Sequence, residues 1–168
     1  MEFPEDRSCK ELMTPRLDNG GRMRSSAAGQ ETRVFSTYFW IGIGGALGSM
    51  GRYGVSRVFA FWFGETFPWG TLVVNVSGSF VIGLLAGLTS DPNSRFLVAP
   101  DMRQFLLVGI CGGYTTFSSF SLQTLSLMRE GDVLEASSNI VMSVVFCLIF
   151  VWLGLVLAGL INHLRPAG

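Results

Sequence analysis

Four apolar runs, each about as long as a bilayer is thick, constrain this chain more than any other feature. They are VFSTYFWIGIGGALGSM (34–50), WGTLVVNVSGSFVIGLLAGLT (69–89), FLLVGICGGYTTFSSFSLQTLSLM (105–128) and VLEASSNIVMSVVFCLIFVWLGLVLAGLI (133–161). The first ends near Arg52 and continues through 54–64, where the aromatic residues suit a membrane interface. A hydrocarbon core roughly 30 Å thick is crossed by about 20 residues of helix. In lipid only helices and closed barrels satisfy every backbone donor and acceptor. The runs therefore predict an all-α membrane protein of four transmembrane helices, with both termini on one side and short loops between.

The charge is placed to match. Charged residues make up 14% of the chain, against about 25% in soluble domains. Residues 1–33 hold six of the 12 Lys+Arg and six of the 12 Asp+Glu. That stretch also mixes Pro, Gly and Ser without apolar periodicity, so it reads as a disordered polar extension. Residues 34–162 form the membrane domain and 163–168 a short tail. The first 30 residues lack the apolar core of a signal peptide. A net charge of zero gives no reason to expect nucleic acid as a partner. Cys9, Cys111 and Cys147 are widely spaced and His163 is alone, so neither a structural disulfide nor a transition-metal site is expected. Arginines flanking the runs are only modestly biased: Arg22, Arg24, Arg33, Arg95, Arg103 and Arg165 on the terminal side, Arg52, Arg57 and Arg129 on the other. One weakly specified orientation and insertion in both orientations fit that count equally well.

No run carries Asp, Glu, Lys or His in its interior. Ion-coupled transporters need such a group to move charge, and general acid–base chemistry needs one too; an enzyme is not expected. What remains is a set of neutral donors: Asn75, Ser77 and Ser79; Thr115, Thr116, Ser118 and Ser119; Asn139 and Ser143. Such groups strip water from an anion without trapping it, as a conduction path requires. They also serve as hydrogen-bonding glue between helices. Asn139, Ser143 and Cys147, spaced i, i+4 and i+8, stack on one helix face, which suits a pathway or a helix interface.

Glycines divide in the same way. Gly42, Gly45, Gly48, Gly78 and Gly83 have the spacing of close helix packing. Gly112–Gly113 instead precede Thr115–Thr116, a poor sequence for an unbroken helix. A break there frees carbonyls, which are cation ligands; the competing reading is a tightly packed continuous helix. Phe117 and Phe120 share one face just beyond. Their ring edges are positive and suit an anion, although such a pair is far more often core or lipid-facing.

Together, GGALGSMGRY (44–53), GTLVVNVSGSFVIG (70–83), GICGGYTTFSSF (109–120) and SVVFCLIFVWLGL (143–155) resemble the CrcB/Fluc fluoride channel family, over about residues 38–162. The resemblance implies a passive, fluoride-selective ion channel of the inner membrane that needs no ATP or organic cofactor. It implies an antiparallel, dual-topology homodimer in the lipid bilayer whose third helix is broken, with two pores lined by both subunits. Asn75 would coordinate fluoride, Phe117 and Phe120 would face it edge-on, and Ser118 and Ser119 would supply hydroxyls along the path. Backbone carbonyls of Gly112 and Thr115 would hold a structural sodium ion at the dimer interface, and Arg52 would sit in the vestibule. The family often has tyrosine or serine where Asn139 and Cys147 stand, and usually threonine at Ser119; Tyr114 matches a variable position and receives no role. Asn139 and Ser143 are retained as pathway candidates. Two other classes compete. A small dual-topology drug exporter has four helices but needs an intramembrane glutamate. A non-transporting assembly subunit explains packing glycines but not the conjunction of a break, hydroxyls and a phenylalanine pair.

Overall fold

The computed structural model describes residues 26–89 and 98–164, and all regular structure among them is helical. The elements are α1 (Ser26–Phe63), α2 (Trp69–Thr89), α3 (Pro100–Gln104), a π-helical stretch π1 (Phe105–Cys111), α4 (Gly112–Tyr114), α5 (Phe117–Glu130) and α6 (Val133–His163). The four segments from α3 to α5 follow one another along one stretch of chain, so the described residues form four long helical segments. Three of them, Trp69–Thr89, Pro100–Glu130 and Val133–His163, are long and apolar enough to cross a membrane. The expected first span falls within α1, where Gly42, Gly44, Gly45, Gly48, Ser49 and Gly51 dilute its apolar character.

The chain divides into two units, residues 1–36 and 37–168. In the first unit helix begins at Ser26, so 26–33 is not the irregular extension expected of it. Ala27, Ala28, Gln30 and Glu31 favour helix by propensity alone and need no apolar stripe to do so. Residues 1–25, Arg95 and the tail from 165 lie outside the described residues. The second unit holds the membrane segments.

Local chemistry sets the helix ends. Gly64 and Gly131 take φ of 76° and 91°, left-handed values that terminate α1 and α5 at little steric cost. At Gly131 the C-cap is completed by Gly131 N–H to Met128 O at 3.3 Å and Asp132 N–H to Leu127 O at 2.9 Å. Pro100 opens α3, where a missing N–H costs nothing. A polar clamp fixes this end of the third segment: Thr37 Oγ1 donates to Asp101 Oδ1 at 2.6 Å, and Arg103 Nε donates to Thr89 Oγ1 at 3.2 Å.

Two contacts bring backbones unusually close. Between α2 and α6, a Cβ on Gly83 would strike the Val151 carbonyl, and one on Gly154 would strike the Phe80 carbonyl. Between α1 and the π1–α4 stretch, a Cβ on Gly44 would lie 2.7 Å from Phe105 O, and one on Gly113 2.5 Å from Gly45 O. Small residues let membrane helices gain dispersion contacts at short range, where lipid offers no hydrophobic drive to pack. The π turns add a residue to each local repeat and bring Gly109 against Gly44. Outward-facing α6 side chains such as Val141, Leu148 and Trp152 remain exposed at 60%, 64% and 60%, as befits a surface solvated by lipid.

Candidate functional site

The helix of the third segment is interrupted for two residues. Thr115 (φ −78°, ψ 156°) and Thr116 (φ −151°, ψ 120°) are extended between α4 and α5. Extended backbone at membrane depth needs new partners for its polar groups. Thr115 N–H and Thr115 Oγ1 both donate to Cys111 O at 3.0 Å. Thr116 has a different partner, the Asn75 side chain on α2. Asn75 Oδ1 accepts from Thr116 N–H at 2.8 Å, and Asn75 Nδ2 donates to Thr116 O at 3.0 Å. The amide thus mimics a neighbouring strand at one residue. Because a backbone N–H can only donate, the pairing fixes which way the amide points. One Nδ2 hydrogen is left over.

In an unbroken helix the Thr116 N–H would bond Gly112 O. Asn75 diverts it, so Gly112 O lacks its helical donor. Gly112 is exposed, and a Cβ there would meet nothing nearer than Leu107 O at 3.8 Å. The next carbonyl, Gly113 O, accepts from Ser49 Oγ at 3.3 Å. Tyr114 reaches α2: its hydroxyl lies 3.1 Å from Ser77 Oγ, which itself donates to Val73 O at 2.7 Å. Tyr114 therefore donates to Ser77 and fastens the end of α4.

Thr116 also caps α5, its Oγ1 accepting from Ser119 N–H at 3.2 Å. Ser118 Oγ and Ser119 Oγ each lie 3.2 Å from the same oxygen, so three hydroxyls gather at the start of α5. The first turn presents Phe117 and Phe120, with ring centroids 5.4 Å apart and planes tilted by 45°. Phe120 is 9% exposed and Phe117 77%: one ring is anchored in the subunit and the other projects from it.

Arg52 lies beside this cluster. It lines a cleft of about 290 Å³ together with Ser49, Thr71, Thr116, Ser119 and Gln123. Arg52 Nε and Gln123 Oε1 are buried without hydrogen-bond partners, so a donor and an acceptor are held ready at a polar cleft. Ser49, Thr71 and Gln123 were missed as site residues, although spacing points to them. Ser49 and Arg52 are i, i+3; Thr71 and Asn75 are i, i+4; Thr116, Ser119 and Gln123 are i, i+3, i+7.

Asn139 and Ser143 lie elsewhere, between α5 and α6. Asn139 is fully buried (0% exposed) and Ser143 6% exposed. Ser143 Oγ donates to Asn139 Oδ1 at 3.4 Å, Asn139 Nδ2 to Thr124 Oγ1 at 2.8 Å, and Thr124 Oγ1 to Phe120 O at 2.8 Å. This chain of bonds ends on the backbone of the anchored phenylalanine. Cys111 is buried, Cys147 half-buried, and both are free thiols. Among the described residues no three His, Cys, Asp or Glu side chains gather as metal ligands.

Comparison with known proteins agrees on what kind of chain this is. The fluoride-specific ion channel FluC of Rhodospirillum rubrum is 60% identical over 127 residues, covering 76% of this chain and 98% of the relative. The proteins of the same name from Opitutus terrae and Methylocella silvestris are 55% and 53% identical over 130 residues, each covering 77% of this chain and 98% of the relative. A family model described as CrcB-like protein, Camphor Resistance (CrcB), matches residues 39–155, a range that contains the break, Asn75 and Arg52. The chain belongs to the CrcB-like family.

Proposed function

We propose that this chain is a fluoride-selective ion channel that passively exports cytoplasmic fluoride down its electrochemical gradient and so limits fluoride toxicity. The observation that carries the reading is the helix interruption held by Asn75 directly before a hydroxyl cluster and the Phe117–Phe120 pair. The names of the FluC relatives support the ion. Fluoride enters cells as neutral HF and dissociates in the more alkaline cytoplasm. A negative-inside potential then drives the anion out, with about 2.3 kcal/mol per charge per 100 mV.

The residues divide the work by chemistry. Arg52 raises the local anion concentration at the cleft. Ser118 and Ser119 offer hydroxyl hydrogens in place of hydration water. The spare Nδ2 hydrogen of Asn75 offers another, in an amide already oriented by Thr116. Phe117 and Phe120 present positive ring edges while keeping the walls apolar. The hydroxyl, amide and ring-edge donors carry no full charge, so binding stays weak enough for release. Asn139 and Ser143, whose hydrogen bonds are made within the subunit, act by supporting Phe120 through Thr124.

The assembled state we propose is an antiparallel, dual-topology homodimer in the inner membrane. Each subunit contributes four transmembrane helices, the third of them broken, and the exposed Phe117 lies in a path shared with the partner. A structural sodium ion at the dimer interface is held by the carbonyls of Gly112 and Thr115. The fit rests on the diverted Thr116 N–H, which leaves Gly112 O without its helical donor. Bound sodium would neutralise the dipole of the Gly112 carbonyl, which lacks its helical donor, in a low-dielectric interior.

Growth of a fluoride-sensitive strain tests the reading. Expression of this chain is expected to restore growth in fluoride without changing resistance to cationic drugs. Drug resistance without fluoride rescue would favour an exporter, and neither effect would favour an assembly subunit.

A further inference from the structure

Asn75 was read as a group that touches the anion, yet both of its polar atoms are already engaged on the backbone of Thr116. What the side chain does there follows from its alternative. Without an acceptor at that position, the Thr116 N–H would lose its partner, and its nearest backbone remedy is the helical bond to Gly112 O. That bond would close the interruption by one residue and consume the carbonyl that the proposed sodium site requires. The donor on Nδ2 works in the same direction, because holding Thr116 O fixes the extended backbone that follows the Thr115 carbonyl. One amide therefore keeps one carbonyl free and aims another.

We infer that Asn75 is a positioning residue of the cation site, holding Gly112 O and Thr115 O in a sodium-binding arrangement through its two hydrogen bonds to Thr116. The inference rests on the proposed sodium ion on those carbonyls. It also joins the two ion sites: the amide that offers its remaining hydrogen toward the anion path is the one that keeps the cation site open. Residues reading the anion and residues holding the cation are thus linked through α2, whose Ser77 fastens the preceding Tyr114 as well.

The test is sodium-dependent thermal unfolding of the purified full-length protein in detergent. Sodium is exchanged for a bulky organic cation at constant ionic strength and without fluoride. Specific binding to the folded state raises the unfolding midpoint with ligand concentration. Wild type should show such a rise. Asn75→Leu, close to isosteric and unable to bond, should raise the half-effective sodium concentration about tenfold, the scale of one to two lost hydrogen bonds. Asn75→Asp retains the acceptor for Thr116 N–H but loses the donor to Thr116 O, so its half-effective concentration should lie between those of wild type and Asn75→Leu.

A uniformly lower midpoint in Asn75→Leu with unchanged sodium dependence overturns the inference and makes Asn75 an ordinary packing residue. An Asn75→Asp half-effective concentration unchanged from wild type overturns it too, and this arm stands alone if Asn75→Leu does not fold. Wild-type protein that ignores sodium overturns the sodium reading and the inference with it. Fluoride efflux measured on the same wild-type preparation reports separately on the channel reading.

Discussion

The α2–α6 contact and the interruption at Thr115–Thr116 are both glycine-rich places in an apolar setting, and they use glycine for opposite ends. At Gly83 and Gly154 the missing side chains let two unbroken helices touch backbone to side, each glycine facing a carbonyl of the other helix. Every backbone group stays in its helix, so the contact is apolar and static. At Gly112–Gly113 the helix stops two residues later, and backbone groups are handed to side chains: Thr116 to Asn75, Gly113 O to Ser49. The first region converts small residues into packing. The second converts them into exposed polarity at membrane depth, which a membrane protein tolerates only where it lines a path or meets a partner.

The two regions should therefore fail differently. Gly83→Leu drives a side chain into the Val151 carbonyl and is expected to cost at least about 3 kcal/mol, or to prevent folding. Denaturation in detergent measures it, and any efflux left should scale with the folded fraction. Phe117→Ile changes a ring that is 77% exposed in the subunit and should leave folding intact. It should lower fluoride efflux from liposomes by about tenfold or more, the equivalent of about 1.4 kcal/mol of lost stabilisation along the path. Unchanged efflux would remove the phenylalanine pair from the pathway.

Arg52→Ala should lower efflux several-fold at low ionic strength and much less at high salt, because a vestibule charge acts through a field screened over about 10 Å at 0.1 M. A salt-independent loss would make Arg52 a structural residue. The smallest effect is expected of Thr124→Val, which cuts the bond between Asn139 and Phe120 O. It should cost about 1–3 kcal/mol of stability by leaving the Asn139 amide unpaired, with efflux per folded protein within about twofold of wild type, under 0.5 kcal/mol. A large efflux defect would return Asn139 and Ser143 to the pathway itself.

Helical character and three of the expected spans were legible because they depend on local composition. Trp69–Thr89 coincides with the apolar run at both ends, and the family resemblance lay in contiguous motifs. What was not legible depends on distant or geometric partners. The extended backbone at Thr116 is secured by a side chain 41 residues away, and nothing in either local sequence names the other. The π turns over Phe105–Cys111 leave no compositional mark, since FLLVGIC is equally good α-helix. Helix upstream of Val34 was missed because polar helix formers carry no apolar signal. Gln123 was passed over because it sits among exposed α5 residues such as Leu122, and its burial arises only when α5 meets the cleft beside Arg52.

The most direct test of the central claim is ion efflux from liposomes containing the purified protein, with fluoride and chloride compared under the same potassium gradient. The account predicts rapid, ATP-independent fluoride efflux, with chloride retained. Retention of fluoride, or equal passage of both anions, would contradict it.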